Sequence, residues 1–403
     1  MKRPFLVFGS IACLQFFAAI RAQQKATPPT DALNKTEIAW VYNHYAQDDN
    51  TSAVTGGVGT EKLTVYGPNL NWTRTKGKHS IGLQLGADII SSASTDNIDR
   101  VLSSASILDA RSFLNLTYKR SNPQKNLDIY GGGGFSIESD YFSLGSKFGI
   151  IKTVPEKRQT YEFQVQLFND DLRWGRLNKP SNFKPVKLIY PQELRFKEWY
   201  TTYKRTSVTL KTGFTQALNK RMVLGVFPEF AYQNGLLATP FHRVYFTDRT
   251  LAVEQLPDTR FKSALGIKLH QFLGGSTILK NQLTGYTDSF GITAISFTHE
   301  SAFKISNLVT LAPHIRLYTQ KGASFFKPFQ GHDPNATFYT SDYDYATLKS
   351  LALGMALRYR PVSKPNTKTS LNTFIFRYQF YKRSQGLSAH VFALSFLLDR
   401  SHS

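Results

Sequence analysis

The sequence predicts an all-β protein: a transmembrane antiparallel up-and-down β-barrel of about 16 strands (range about 14–18), with short periplasmic turns and long extracellular loops. Three observations predict it. Apolar residues recur at every second position along most of the 403-residue chain. Many of these runs reach the roughly 9–11 residues that a strand needs to cross a bilayer, against about 5–6 in soluble proteins. The links between runs sort into a short set and a long set, as they do in barrels that face two compartments.

The N-terminus reads as a secretory signal over residues 1–22. Lys2 and Arg3 form a basic start, Phe5 to Ile20 an apolar stretch, and Ala22 a small residue for cleavage before Gln23. Cys13, the chain's one cysteine, lies inside that stretch, which continues past it through Leu14, Phe16 and Phe17. Residues 23–35 are polar and contain Pro28 and Pro29, so they read as a flexible periplasmic leader. The barrel is expected over 36–398 and a short tail over 399–403.

Alternation defines each strand. Ile81, Leu83, Leu85, Ala87 and Ile89 alternate with Ser80, Gly82, Gln84, Gly86 and Asp88. Tyr161, Phe163, Val165 and Leu167 alternate with Glu162, Gln164 and Gln166. Leu351, Leu353, Met355, Leu357 and Tyr359 repeat the pattern. Successive side chains of a strand point to opposite faces, so each strand has one apolar and one polar face. The polar face carries Gly, Gln, Lys and Arg, which suits a wet interior. A closed barrel also removes the unpaired edges that lipid does not tolerate. Strand starts are expected near Thr36, Glu61, Ser80, Arg111, Asn126, Phe142, Gln159, Thr206, Met222, Arg260, Ser276, Ile292, Leu308, Leu348, Asn372 and Leu387.

The short links are 74–79, 119–125, 152–158, 217–221, 272–275 and 304–307. The long ones are 47–60, 91–110, 169–205, 234–259 and 319–347. Charge sorts the same way. Arg74, Lys76, Lys78, Lys119, Arg120, Lys125, Lys152, Lys157 and Arg158 gather at the short links, while Asp248, Glu254, Asp258, Asp333, Asp342 and Asp344 lie in the long ones. Pro228 and Pro313 interrupt two strand patterns and are expected to mark bulges near the rim. Gly131 to Gly134, inside a strand, is expected to admit a neighbouring backbone or a folded-in loop.

Composition narrows the function. There are 49 basic and 28 acidic residues, a formal net charge of +21. One cysteine excludes a disulfide scaffold and a cysteine-ligated metal site. Export makes nucleic acid a poor partner; lipid, lipopolysaccharide and a small solute fit better.

Several segments resemble a family of bacterial outer-membrane proteins known as domain of unknown function 3570. They include Asp48-Asp49-Asn50-Thr51-Ser52, Ser94-Thr95-Asp96-Asn97-Ile98-Asp99, Pro240-Phe241-His242-Arg243-Val244, Pro257-Asp258-Thr259-Arg260, Tyr286-Thr287-Asp288-Ser289-Phe290-Gly291-Ile292 and Thr340-Ser341-Asp342-Tyr343. The resemblance spans nearly all of the chain after residue 22. It implies an outer-membrane barrel and brings no reaction or substrate.

Two constellations stand out. Lys211, Lys268, His270, His314, Arg316, Arg358 and Arg377 fall on polar faces, so they are expected in the lumen, where a basic lining favours anions. They could equally pair with Glu162 and Glu229 and narrow the pore. Asp48, Asp49, Asn50, Asp96, Asn97 and Asp99 offer the oxygen ligands that calcium requires, although such residues also build tight turns. No other cofactor is expected. The reading is a pore for small polar, anionic solutes, with a non-conducting surface barrel that binds calcium or a protein as the alternative. No catalytic residue is assigned and an enzyme is not expected. An embedded hydrolase would need a Ser–His pair with an orienting group. Ser296, His299 and Ser301 share one strand, and only 299 and 301 share a face.

Overall fold

The computed structural model of the protein describes residues 34–48, 50, 61–94, 108–138, 141–172, 204–238, 242–362 and 369–401. Strands β1 (Asn34–Gln47), β2 (Glu61–Lys76), β3 (His79–Ser94), β4 (Leu108–Asn122), β5 (Leu127–Glu138), β6 (Tyr141–Val154), β7 (Gln159–Asp171), β8 (Lys204–Asn219) and β9 (Met222–Gly235) form the first half of the wall. Two short strands, β10 (Arg243–Tyr245) and β11 (Leu251–Val253), pair only with each other. The second half contains β12 (Thr259–Leu273), β13 (Thr277–Asp288), β14 (Thr293–Lys304), β15 (Val309–Lys321), β16 (Leu348–Tyr359), β17 (Thr369–Arg383) and β18 (Ser388–Ser401).

Among the described residues, sixteen strands close into one antiparallel barrel. Each strand pairs with its neighbour in sequence, and β1 closes on β18 from Lys35–Ser401 to Gln47–Ala389. The strands are 12 to 16 residues long, enough to cross a bilayer at a tilt.

The two faces separate by alternation. Along β16, Leu353 is 46% and Met355 48% exposed, whereas Ala352 and Ala356 are 2% and 0% exposed. Ile81, Leu116, Phe148, Phe163, Phe261, Ile295 and Leu317 are exposed on the outward face of their strands. An apolar outer belt on a sheet without edges is what a bilayer requires. Lys, Arg, Glu and Gln point inward at the alternate positions.

The links follow the expected asymmetry, with exceptions. One end has tight turns at 77–78, 123–126, 155–158, 220–221 and 274–276. At the other end the links 289–292 and 384–387 are short as well. Asp288 explains the first: its Oδ1 accepts from both Phe290 and Ile292 N–H groups, at 3.0 Å each, and closes a turn without further chain.

Pro228 and Pro313 do not make bulges at the rim. Register on either side is unchanged. On β15 the pairs stop at Glu300–His314 and resume at Phe303–Leu311, and Pro313 is the fifth residue of its strand. Pro228 similarly interrupts the β8–β9 ladder between Lys211–Glu229 and Phe214–Val226. Proline has no N–H to give the ladder, so bonding lapses locally while the strand keeps its phase. In the glycine run the neighbouring backbone does come close. A Cβ on Gly132 would stand 2.3 Å from the Leu116 carbonyl oxygen, and one on Gly134 2.3 Å from that of Leu114.

Links 236–258, 289–292 and 322–347 fold together into a lid with its own core. Phe290, Ile292, Leu256 and Ala323 are buried against Tyr286, Phe325 and Tyr345. Val244, Phe246 and Tyr339 form a second cluster, held by bridges Phe246–His332 and Gln255–Tyr339. The lid turns inward at the rim. Inward-pointing Gln320 donates to the carbonyls of Asp344 and Ala346, and inward-pointing Arg383 to the Asp344 carboxylate at 2.8 Å.

Candidate functional site: the basic lumen and its lid

β14 carries Glu300 inward, where it is buried to 4% exposure. Three strands bring cations to it. Lys280 on β13 lies 2.8 Å away, Arg377 on β17 3.4 Å and Arg358 on β16 3.8 Å. One carboxylate therefore faces three bases. Glu300 and Lys280 are directly opposed in register, so the contact follows from the ladder. Beneath the charges, Ala302, Ala312 and Ala356 pack with Ile278 and Ile375; the small alanines leave room for the long basic side chains to lie along the wall.

Arg358 and Arg377 thus converge. The other expected lumen bases lie elsewhere on the wall. Lys211 reaches Glu229 at 3.7 Å, a pairing with one of the two acids expected to compensate lumen bases. Lys268 sits 4.7 Å over the Phe227 ring and Arg316 5.7 Å over Tyr318. His314 bonds Gln379 at 3.0 Å through Nε2. Lys280 and Glu300, which complete the cluster, escaped sequence reasoning. Their alternation was visible; their pairing needed the register.

The lid holds a second cluster. His242, Glu254 and Asp342 are all buried, and one ligand atom from each lies within 4.8 Å of the others. His242 Nδ1 stands 3.8 Å from Glu254 and 4.0 Å from Asp342, too far for a hydrogen bond, and it has no hydrogen-bond partner. The same separations match the roughly 3–4 Å between ligands that share one ion at bonds of about 2.0–2.2 Å. Thr340 orders the group: its hydroxyl donates to Glu254 at 2.5 Å and accepts from the Asp342 N–H at 3.0 Å. Burial, with Asp344 alongside, pushes the Asp342 carboxyl up to about 7 despite the pull of His242. Burial lowers the His242 imidazole, yet the two carboxylates outweigh it and hold it above its ordinary value. An imidazole with two carboxylates is a donor set for zinc or manganese rather than for calcium, which prefers oxygen alone. Two of these three residues lie in segments that carried the family resemblance, Pro240–Val244 and Thr340–Tyr343.

Of the residues expected to hold calcium, Asp48 serves a turn. Its carboxylate accepts from the Ser388 N–H and hydroxyl, the latter at 2.6 Å, and from the Asn50 side chain at 3.2 Å. Asp49, Asp96, Asn97 and Asp99 lie outside the described residues, as does most of link 169–205.

Fold and site together define a transmembrane barrel of the outer-membrane type, with a basic interior and a structured lid. The chain belongs to the family "Protein of unknown function (DUF3570)", whose profile matches residues 101–390. No curated protein matches it. Among solved structures it is similar to a bacterial polysaccharide outer membrane secretin (9% identity, 93% of this chain and 99% of that one, TM-score 0.48). It is also similar to OprD of Pseudomonas aeruginosa (9% identity, 93% and 99%, TM-score 0.42) and to OpdK of the same organism, solved with vanillate (10% identity, 92% and 99%, TM-score 0.40).

Proposed function

We propose that the chain is an outer-membrane pore for small polar solutes, delivered by a cleaved signal peptide over residues 1–22, and that its lumen favours anions. The observation that carries this reading is the excess of positive charge around Glu300, where Lys280, Arg358 and Arg377 meet a single carboxylate. Cations fixed to a low-dielectric wall raise the local concentration of anions and lower their barrier to passage. The folded protein reconstituted in planar bilayers under a KCl gradient tests it. A step current whose reversal potential favours chloride is expected, and Arg358→Glu with Arg377→Glu should remove that preference. A folded barrel that stays silent overturns the reading.

A second reading concerns the lid and rests on the unpartnered, buried His242 Nδ1. A divalent transition-metal ion held by His242, Glu254 and Asp342 would join link 236–258 to link 322–347 and fix the lid at the rim. Metal content of the purified protein tests this directly. Zinc or manganese lost in His242→Ala supports it; retention of the metal in that variant excludes this site. Calcium recovered instead would move the search to Asp48, Asp49, Asn50, Asp96, Asn97 and Asp99.

A further inference from the structure

A polar group of three side chains stands on the outward, largely apolar face of the wall, in its lower half. His299 on β14 and Asn281 on β13 are directly opposed in register, and Ser301 follows two residues on, on the same face. His299 Nδ1 lies 2.8 Å from Asn281 Oδ1, and His299 Nε2 lies 2.7 Å from Ser301 Oγ. The amide oxygen only accepts, so Nδ1 carries the proton. Nε2 is then the lone-pair nitrogen and accepts from the serine hydroxyl. This is a nucleophile, its general base and an orienting group, joined in the order acyl transfer requires.

The surroundings make the placement more telling. Phe297 and Phe303 flank the pair on β14, Leu283 lies beyond Asn281 on β13, and all three are exposed outward. Leu279 faces Ser301 and Ile315 faces His299 across the ladders. Polar side chains are expensive on a lipid-facing wall and cluster where they have a function. The other outward histidines differ. His79 bonds Tyr118 at the first residue of β3, His390 bonds Tyr378 near the start of β18, and His44 stacks on Tyr66 near the end of β1, all toward strand ends. In those rim zones amphipathic rings are ordinary.

The backbone beside the serine is also unusual. Pro313 would face Ser301, and the β14–β15 ladder lapses between Glu300–His314 and Phe303–Leu311. Pro313 has no N–H to give the Ser301 carbonyl, so the ladder lapses on the β15 side alone, while Ser301 and Ala302 stay paired with Leu279 and Ile278 of β13. Ser301 lies three residues above Lys304, the short-turn end of β14. At about 3.3 Å per residue and a tilt near 45°, it stands roughly 7 Å above that end, in the periplasmic half of the wall.

We propose that Asn281, His299 and Ser301 form a lipid-facing esterase site that hydrolyses acyl esters of phospholipids in the periplasmic leaflet. The Ser301 hydroxyl oxygen attacks the ester carbonyl carbon while its proton passes to His299 Nε2. The carbonyl oxygen takes the negative charge of the tetrahedral intermediate. The carbon–oxygen bond to the glycerol breaks, and the alkoxide leaves as an alcohol with the proton from His299. Water then attacks the Ser301 acyl ester, gives its proton to His299 and releases a fatty acid, returning the proton to Ser301. Ser301 and His299 are the catalytic residues. Asn281 is a positioning residue that holds the imidazole tautomer. The site is outside the lumen and independent of conduction.

The test uses the full chain, folded in detergent and shown to be heat-modifiable. An alkyl fluorophosphonate and phosphatidylethanolamine in mixed micelles are the probes. Wild type should take up the fluorophosphonate on Ser301 and release fatty acid. Ser301→Ala, an almost isosteric change, should lose labelling and lower release by at least about a hundredfold. Asn281→Ala should lower kcat more than it changes KM, and Asn281→Asp should restore labelling, which a purely structural contact would not do. Folded wild-type protein that takes no label, or that releases no more fatty acid than Ser301→Ala, overturns the proposal. Labelling at another serine overturns it too.

Discussion

The Arg260 guanidinium lies 4.4 Å over the Phe290 ring while donating to the Asp288 carboxylate, so one side chain of β12 joins the barrel wall to the core of the lid. Tyr345 is also within its reach, at 5.5 Å. Asp288 is itself saturated, because Tyr286 donates to it at 2.7 Å and two backbone N–H groups cap its other oxygen.

Arg260→Leu should therefore loosen the lid and leave the wall intact. It strands a fully buried carboxylate, a loss of about 3–5 kcal/mol locally. Limited proteolysis should cut within 322–347 at an enhanced rate, while heat-modifiability of the barrel is kept.

Charge selectivity should follow the Glu300 cluster. Glu300→Gln removes the one carboxylate among three bases and should raise the chloride-over-potassium permeability ratio by at least about twofold; Arg377→Glu should lower it by a similar factor. Reversal potentials in a KCl gradient read both.

Metal removal should act on the lid alone. With free ion about a hundredfold above its dissociation constant, a bound ion stabilises by about 2.7 kcal/mol. Chelator should increase hydrogen exchange at Val244 and Tyr339 and leave it unchanged in His242→Ala.

Asp48 should show in an acid titration. Burial raises its carboxyl, but the bonds from Ser388 and Asn50 outweigh it and hold the group below its ordinary value of 3.8. A depressed folded pKa stabilises above the unfolded value and is lost as pH falls through the folded one. Protection of the Ser388 amide should hold down to pH 3.8 and collapse below it, and Asp48→Asn should remove this acid step.

The wall was legible in the sequence because alternation is local. Every strand of the wall begins within three residues of its expected start, Glu61, Gln159, Met222 and Leu348 at the same residue, whereas the short pair β10 and β11 was not expected. Arg358 and Arg377 were also placed on the inward face by alternation alone. What escaped depends on register between strands or on packing between links. Glu300 meets Lys280 only through register, and Asn281 meets His299 the same way, although the shared face of His299 and Ser301 was visible. His242, Glu254 and Asp342 belong to two links separated by four strands, and only the lid's packing brings them together. Pro313 looked like a rim bulge because its strand position was read without its partner, Ser301.

The closure of β1 on β18 has a consequence for how the molecule forms. Its registered pairs join residues near position 40 to residues near position 396, almost the full chain apart. Such contacts form last and slowly, because the intervening loop must be closed first. Until the final strand is made, both ends of the sheet expose unsatisfied backbone that the bilayer rejects. Closure therefore requires β18, and a chain cut short within that strand should leave β1 and β17 as open edges that the bilayer rejects.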